Sequence, residues 1–523
     1  MEAISKLREG ILSWGNIATI VVVYFATLSI YRLMLHPLAS FPGPKLAAIT
    51  RYYEAYYDLV RTGQYTFKIT ELHKKYGNPY ELHVMDPSFY EKIYCQGHWE
   101  KYAWINDAFN VDGSTLNTVP HELHRARRQP LNHFFSKVRV SAQQEVIDRH
   151  IVVFYNRMLQ FAVTGKMVDL GAAISALTRD IVCDFLLNKS YAHLEKEDFN
   201  VQVTDMFQSG GTIWRVSKHI RWFAPALRAI PMSIMERVAD PGTKAFFSYI
   251  QASEQDTSEL LRIASIPSSS PDAMDESERT IVHEMVDSKL PPAEKRFERV
   301  MNDVTTITSA GFETTAGVLR LIIYHVFSNP DILRRLRVEP ATVNAAAPPS
   351  SSPLSSYYTS VQVKALEQLP YLTAVITEGL RLSPGIGSRS PRVAPDRDLF
   401  YGDGNLCIPA GTPVGMTTIL MHLDETLYPK PLSFNPDRWM EADFEARKRL
   451  NKVYAPFSKG ERICLGMHFA WASMYVIVAQ VVQQFDFEFK NVVPKHFEMD
   501  FDQFIIKTKG NANLDALVTM RKA

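Results

Sequence analysis

Five residues within ten, near the C-terminal end of the chain, could act on a ligand together. The segment FSKGERICLG sets Phe457, Gly460, Arg462, Cys464 and Gly466 in the order F-x-x-G-x-R-x-C-x-G. A cysteine binds metal as a thiolate, and burial alone raises a thiol pKa and leaves it inert, so a buried thiolate needs help. Here the glycines let the loop pass close to a flat ligand, Arg462 supplies a charge partner, and backbone N–H groups can donate to the sulfur. The apolar run MHFAWASMYVIVAQVV follows directly. As a helix it aims the positive end of its dipole at Cys464. A structural cysteine beside a glycine turn is the plain alternative.

A second concentration lies in AGFETT, Ala310–Thr315, where a glycine, an acid and two β-branched hydroxyl residues interrupt an apolar segment at a cost in helix stability. The flanks TTITS and VLRLII read as buried, and a buried acid without a task is expensive. Glu313 and Thr314 are therefore candidate catalytic residues, against the plainer reading of a local bend with a solvated Glu.

The elements that must hold these groups are helical. PPAEKRFERVMNDVTTITSAGFETTAGVLRLIIYHVFSNP opens on proline and closes on Asn-Pro, which predicts one helix from about Pro292 to Asn329, roughly 55 Å long. EGLR puts Glu378 and Arg381 on one helical face. Strands come late and short: DLFYGDGNLCIPAGTPVGM, from Asp398, has the turn chemistry of small hairpins. Its Gly402 and Gly404 lack the third glycine, preceding strand and following helix of a dinucleotide site. ASIPSSSPDAMDE and VNAAAPPSSSPLSS have no apolar periodicity and read as exposed loops.

With 523 residues, 46% of them hydrophobic, the chain can build a large core. A net charge of +1 excludes a nucleic-acid binder that relies on electrostatics. Cys95, Cys183, Cys407 and Cys464 include no close pair, which fits a reducing compartment and excludes zinc knuckles. The glycosylation sequon at Asn188 reads as chance. HELH, from His121, lacks the histidine that a zinc site needs next, because Arg125 stands there. From Ile11 to Tyr31 the chain runs 21 residues without a charge, enough for a helix of roughly 30 Å, and FPGPK stiffens the exit. This predicts an uncleaved membrane anchor and hinge over residues 1–40, with the flanking Lys and Arg leaning slightly towards a cytosolic body over 41–523.

The cysteine loop, AGFETT, EGLR and FNPDRW, Phe434–Trp439, together resemble the cytochrome P-450 family. VRTGQYTFKITELHKKYG, LPPAEKRFERV and PFSKGERICLG resemble its fungal secondary-metabolite members most. The resemblance implies a mainly α fold, a large helical domain with a small β-rich part. It implies haem b (iron protoporphyrin IX) held by Cys464 as axial iron ligand, within the loop of Phe457, Gly460, Arg462 and Gly466. Arg392, Arg128 and His124 are implied partners of the haem propionates, and Glu378, Arg381 and Arg438 an architectural triad. Gly311 would make room above the iron, Thr314 would hydrogen-bond the dioxygen being activated, and Glu313 would relay protons to it through water. SKHIRWFAPALRAIPMSI and KYAWINDAFNVDG would cover a mostly apolar pocket lined by SPGIGSRS, Thr306 and Ala310.

The implied activity is insertion of one atom of dioxygen into a lipophilic small molecule of terpenoid, polyketide or indole type, at the endoplasmic reticulum membrane. Electrons would come from NADPH through a separate cytochrome P-450 reductase, with cytochrome b5 as an optional second donor. Two alternatives keep the haem: a haem-thiolate isomerase or dehydratase that uses no dioxygen, and a non-catalytic membrane-anchored haem protein. Arg125 and Arg127 form either a solvated basic face or a landing patch for an acidic electron donor. One departure stands out. Gly77, Asn78 and Pro79 lead directly into Tyr80 where the family has a strand and turn, so a strand of the small sheet is expected to be missing.

Overall fold

Apolar stripes of helical period must be covered, and in this chain helices cover one another. The computed structural model describes residues 14–75, 82–266, 276–346, 361–402, 406–440, 443–510 and 512–521. Its principal helices are α1 (Trp14–Ile30), α2 (His121–Phe134), α3 (Leu170–Leu187), α4 (Gln202–His219), α5 (Pro241–Ala264), α6 (Phe297–Phe327), α7 (Pro370–Leu382) and α8 (Met467–Gln484). No residue of α1 is buried, and it continues through a π-helical turn, Tyr31–Leu35, as a 22-residue apolar span long enough to cross a bilayer. Apolar on every side and uncovered by protein, such a helix suits lipid. Ile11 to Ser13, where the anchor was expected to start, lie outside the described residues.

The central helix α6 starts later than its prolines suggest. Pro292–Lys295 forms a 3-10 turn and Arg296 is extended (φ −65°, ψ 152°), so the helix runs 31 residues, roughly 46 Å. Its hydroxyls are absorbed locally: Thr306, Thr308, Ser309 and Thr314 each donate to the carbonyl four residues back, at 2.7, 2.6, 2.7 and 2.8 Å. Helices α3, α5, α7 and α8 pack against α6. Leu319, Ile322, Leu372, Val375, Val476 and Ile477 are buried between them. Asp169 caps α3 by accepting from the Ala172 N–H (2.9 Å), and Asn188 closes it in the left-handed region (φ 50°) while its Nδ2 donates to Glu278 O. The asparagine of the sequon thus serves as a helix C-cap.

The strands nearest the site are β1 (Leu82–His83), β2 (Glu100–Lys101), β3 (Arg392–Val393), β4 (Leu399–Tyr401), β5 (Leu406–Ile408), β6 (Pro413–Gly415), β7 (Met499–Gln503) and β8 (Ile505–Thr508); a separate three-stranded sheet sets Asp515–Met520 between Phe485–Phe489 and Val168–Asp169. One sheet has the order β1–β6–β3–β2, with β1 parallel to β6 and β3 antiparallel to both of its neighbours. β4 and β5 pair antiparallel, and residues 403–405 between them lie outside the described residues. β7 and β8 form an antiparallel hairpin, turning at Phe504. Residues 76–81, the place of the expected missing strand, lie outside the described residues, as does most of both Ser/Pro loops.

Candidate active site

The loop before α8 is fixed by its own backbone. Cys464 N–H donates to Phe457 O (2.9 Å), Ile463 N–H to Gly460 O (3.0 Å) and Ser458 N–H to Ala455 O (3.0 Å). Two side chains tie it to α7. Tyr454 donates through its hydroxyl to Thr377 O (3.1 Å), and His422 sits between Arg381 O (3.0 Å from Nδ1) and Ala455 N (3.1 Å from Nε2). An N–H can only donate, so Nε2 accepts and Nδ1 carries the proton. Burial holds this histidine at about 3, which keeps the ring neutral.

A cavity of about 350 Å³ lies between this loop and α6. The loop contributes Phe457, Arg462, Cys464 and Gly466; α6 contributes Thr306, Ala310, Gly311 and Thr314; the segment before β3 contributes Ser383, Gly385 and Ile386. The Cys464 side chain is exposed, but to this cavity, and it lies deep in the protein. Burial pushes its thiol up, opposed by the Gly466 N–H and the Arg128 charge.

Positive charge gathers beside the sulfur, with no acid lining the cavity among the described residues. Lys101 and Arg392 stand directly opposite each other on β2 and β3, an arrangement that destabilises a strand pair. Arg128, Arg462 and His124 line the same cavity. Burial and then the neighbouring cations depress Lys101 far below its ordinary range, Arg462 to about 9 and His124 to about 2. Among the described residues their donors reach neutral carbonyl oxygens: Arg128 to Ile463 O (2.6 Å) and Asn132 Oδ1 (2.9 Å), Arg462 to Thr118 O (2.6 Å) and Val119 O (2.9 Å), Arg392 to Pro391 O (3.1 Å), and Lys101 to Leu116 O. Arg462 Nε is buried with no partner among the described residues. No acid among the described residues lines the cavity. A flat ligand bearing two carboxylates and a metal for the sulfur fits this donor set.

The family model for cytochrome P-450 matches residues 56–513. The chain belongs to the cytochrome P-450 family. It is 38% identical to cytochrome P-450 monooxygenase tpcC of Cochliobolus heterostrophus, over 89% of this chain and 87% of that one. It is 34% identical to tryptophan 6-hydroxylase fscE of Fusarium equiseti and 34% identical to N-acetyltryptophan 6-hydroxylase ivoC of Emericella nidulans, in both cases over 94% of each chain. The crystal structure of a cytochrome P-450, CYP102L1, matches with a TM-score of 0.66 over 87% of this chain and 94% of that one at 19% identity, which shows the fold. This P-450 is an oxidoreductase of the monooxygenase type with a haem-thiolate cofactor.

Several expected roles change with the geometry. Thr314 lies on the cavity wall, but Glu313 does not. Successive helical residues point about 100° apart, and the Glu313 carboxylate turns to Arg320 (3.0 Å) and Arg179 (3.6 Å), with Ser175 and Thr204 donating to it. Burial would raise its pKa, but Arg320 and Arg179 prevail and hold it below the usual carboxylate range. In this conformation it is a paired anion with no proton to relay into the cavity. Gly311 likewise makes room for a neighbouring helix: a Cβ there would come within 2.8 Å of Val182 Cγ2 on α3.

Arg127 is removed from the basic face by a two-pronged pair with Glu294 (2.6 and 3.0 Å), leaving Arg125 exposed with Glu122 at 3.9 Å. Of the two covering segments, the one from Lys101 reaches the cavity through Lys101, Ile105, Asn106 and Phe109. The segment from Ser217 lies behind it, where Arg221 donates to Trp104 O. Glu378, Arg381 and Arg438 do meet, away from the cavity, at 2.8 and 3.4 Å from the shared carboxylate. Sequence reasoning missed Lys101 and His422, whose partners are all distant along the chain.

Gly460 also proves different in purpose. It has φ 70°, and a Cβ would stand 1.9 Å from Tyr94 O, so the glycine lets the loop pass another backbone rather than a ligand. No rotamer relieves a clash with a carbonyl. Gly460→Ala is expected to displace the loop and to purify largely without haem, read as the ratio of haem to protein absorbance. Full loading would refute this reading of the loop.

Proposed function

We propose that this chain inserts one atom of dioxygen into a lipophilic secondary metabolite of terpenoid, polyketide or indole type, using haem b with Cys464 as axial ligand. Electrons come from NADPH through a separate cytochrome P-450 reductase, optionally supplemented by cytochrome b5. Residues 1–40 form the tether at the endoplasmic reticulum membrane and residues 41–523 the cytosolic catalytic domain. The observation that carries this reading is one largely apolar cavity lined by Cys464, Thr314 and the basic side chains Lys101, Arg128, Arg392 and Arg462, with no acid in its wall among the described residues. The indole option draws support from the two relatives named as tryptophan and N-acetyltryptophan 6-hydroxylases.

Bound there, haem supplies the activation of dioxygen and the transfer of one oxygen atom. Lys101, Arg128, Arg392 and Arg462, which line the cavity, would neutralise its two propionates, with His124 beside them. Phe457 and Gly466, beside Cys464 in the cavity wall, would help hold the ring, and Val182, Leu186, Ile307 and Leu380 line the cavity with apolar surface that would exclude water from a substrate. Thr314 now donates to Ala310 O, and rotation about χ1 turns the same proton into the cavity. Thr314→Ala, reconstituted with reductase and NADPH, is expected to keep its haem and lose product per NADPH consumed by about tenfold or more. Unchanged coupling would remove Thr314 from this role. Product formed by the parent protein without NADPH would overturn the monooxygenase reading itself.

A further inference from the structure

Residues 114–119 run as a strap between helix α6 and the basic cluster. Its carbonyls hold two cations of the cavity wall: Leu116 O accepts from Lys101, and Thr118 O and Val119 O accept from Arg462 (2.6 and 2.9 Å). Behind the strap stands Asp303, an acid of α6 with no exposed surface and no place in the cavity wall. One of its oxygens accepts from the Thr115 N–H (2.6 Å) and the other from the Thr115 hydroxyl (2.8 Å), which fixes how Thr115 faces. Arg299, one helical turn earlier, neutralises Asp303 (2.5 Å) and donates to the Thr115 hydroxyl oxygen (3.0 Å). A second brace comes through Arg127, which donates to the Thr118 hydroxyl oxygen (2.9 Å) and shares Glu294 with Arg299. We propose that Asp303 is a positioning residue for the propionate site, acting through Thr115 and the strap to aim Lys101 and Arg462 into the cavity, an inference that rests on the haem b reading above.

Electrostatics explains why such a hold is needed. Lys101, Arg128, Arg392 and Arg462 repel one another, and in a poorly solvated site that repulsion drives long, unrestrained side chains apart. A carboxylate in contact with them would hold them, but it would also consume the charge that a propionate needs. The strap offers neutral carbonyls instead. The acid is set one layer back, where Arg299 takes its charge and the strap receives its hydrogen bonds. Asp303 also ties the strap to the helix that carries Thr306 and Thr314 into the cavity, so the basic cluster keeps its place relative to the rest of the site. The sign of the effect follows. Cations close to the propionates favour ferrous haem, which carries one more electron, so a loosened strap lowers the midpoint potential as well as the hold on haem.

The test uses the purified holoenzyme, its pigment first identified as haem b by mass and by the spectrum of its pyridine complex. A pigment without propionates would overturn the haem b reading and this one with it; every later outcome bears on this one alone. Haem transfer to excess apomyoglobin and the midpoint potential of the substrate-free protein are then measured. Asp303→Asn, which keeps the shape of the side chain but neither its charge nor its second acceptor, is expected to lose haem at least about fivefold faster and to shift the potential downwards. Thr115→Val removes one bond and leaves the Asp303–Arg299 pair intact; it should move both readouts the same way, haem loss by about twofold or more. Because the two residues act through one contact, the double variant should fall short of the sum of the single effects. Asp256→Asn, which breaks a pair with Lys189 on α5 away from the cavity wall, controls for general destabilisation and should leave the potential in place. Unchanged haem loss and potential in Thr115→Val, fully additive effects, or the same downward shift in Asp256→Asn would overturn the proposal. Should Asp303→Asn fail to fold, Thr115→Val decides alone.

Discussion

Cys464→Ser is expected to abolish the strongly red-shifted band of the reduced protein under carbon monoxide and to reduce product formation below detection. The loop itself should survive, because the bonds that shape it, Cys464 N–H to Phe457 O and Ile463 N–H to Gly460 O, are backbone bonds. What disappears is the anion. Burial already raises the thiol, and only the Gly466 N–H and Arg128 oppose it; an alcohol, far less acidic, receives the same small help and stays protonated. A thiolate moves the band far to the red of that given by histidine and favours O–O cleavage by pushing electron density to the metal, and serine does neither. The basic cluster remains, so some haem should still bind. The measurement is therefore the position of the band at known haem content, with an unchanged circular dichroism spectrum as control. A variant that kept the band would show that the iron is held through another atom, and the whole account of the site would fall.

The parts of this site that could be read along the chain are those whose partners are close in sequence. Arg462, Cys464 and Gly466 lie within one turn of loop, and Glu378 with Arg381 shares one helical face. Even within α6, however, one residue of phase decides whether a side chain meets the cavity or the core: Thr314 faces the first and Glu313 the second, and the apolar flanks of AGFETT do not say which. The roles of the glycines were hidden for a different reason. Gly460 is demanded by Tyr94 and Gly311 by Val182, residues brought near only by folding. Lys101 was invisible as a cofactor residue until β2 paired with β3 and set it against Arg392. The late start of α6 reflects the extended Arg296, a local choice that two prolines and a run of charges leave undetermined.

Glu378→Ala should be the most damaging single change outside the cavity, costing about 3–5 kcal/mol by orphaning buried cations, a large share of the 5–15 kcal/mol typical of a native domain. The Glu378 side chain is fully enclosed and accepts from Arg381 Nε and Nη2 (2.8 Å each), Trp439 Nε1 (2.9 Å), Asn435 N (3.0 Å) and Arg438 Nε (3.4 Å). Its removal leaves two guanidinium groups with no ion-pair partner among the described residues, whereas Arg381→Met leaves Glu378 still facing Arg438. Because one acid serves two bases, Glu378→Ala is expected to lower the unfolding temperature of the holoenzyme more than Arg381→Met, and Glu378→Gln, which keeps the acceptor but not the charge, should fall between them. The damage should also reach the haem. Arg381 Nη1 donates to His422 O (2.8 Å), and the His422 ring receives the Ala455 N–H at the root of the cysteine loop. Haem loss should therefore accompany unfolding in each variant, and Arg381→Met additionally removes the bond to His422 directly. If Arg381→Met proved the worse of the two, the carboxylate would not be the shared partner and the triad would have to be read as two independent contacts.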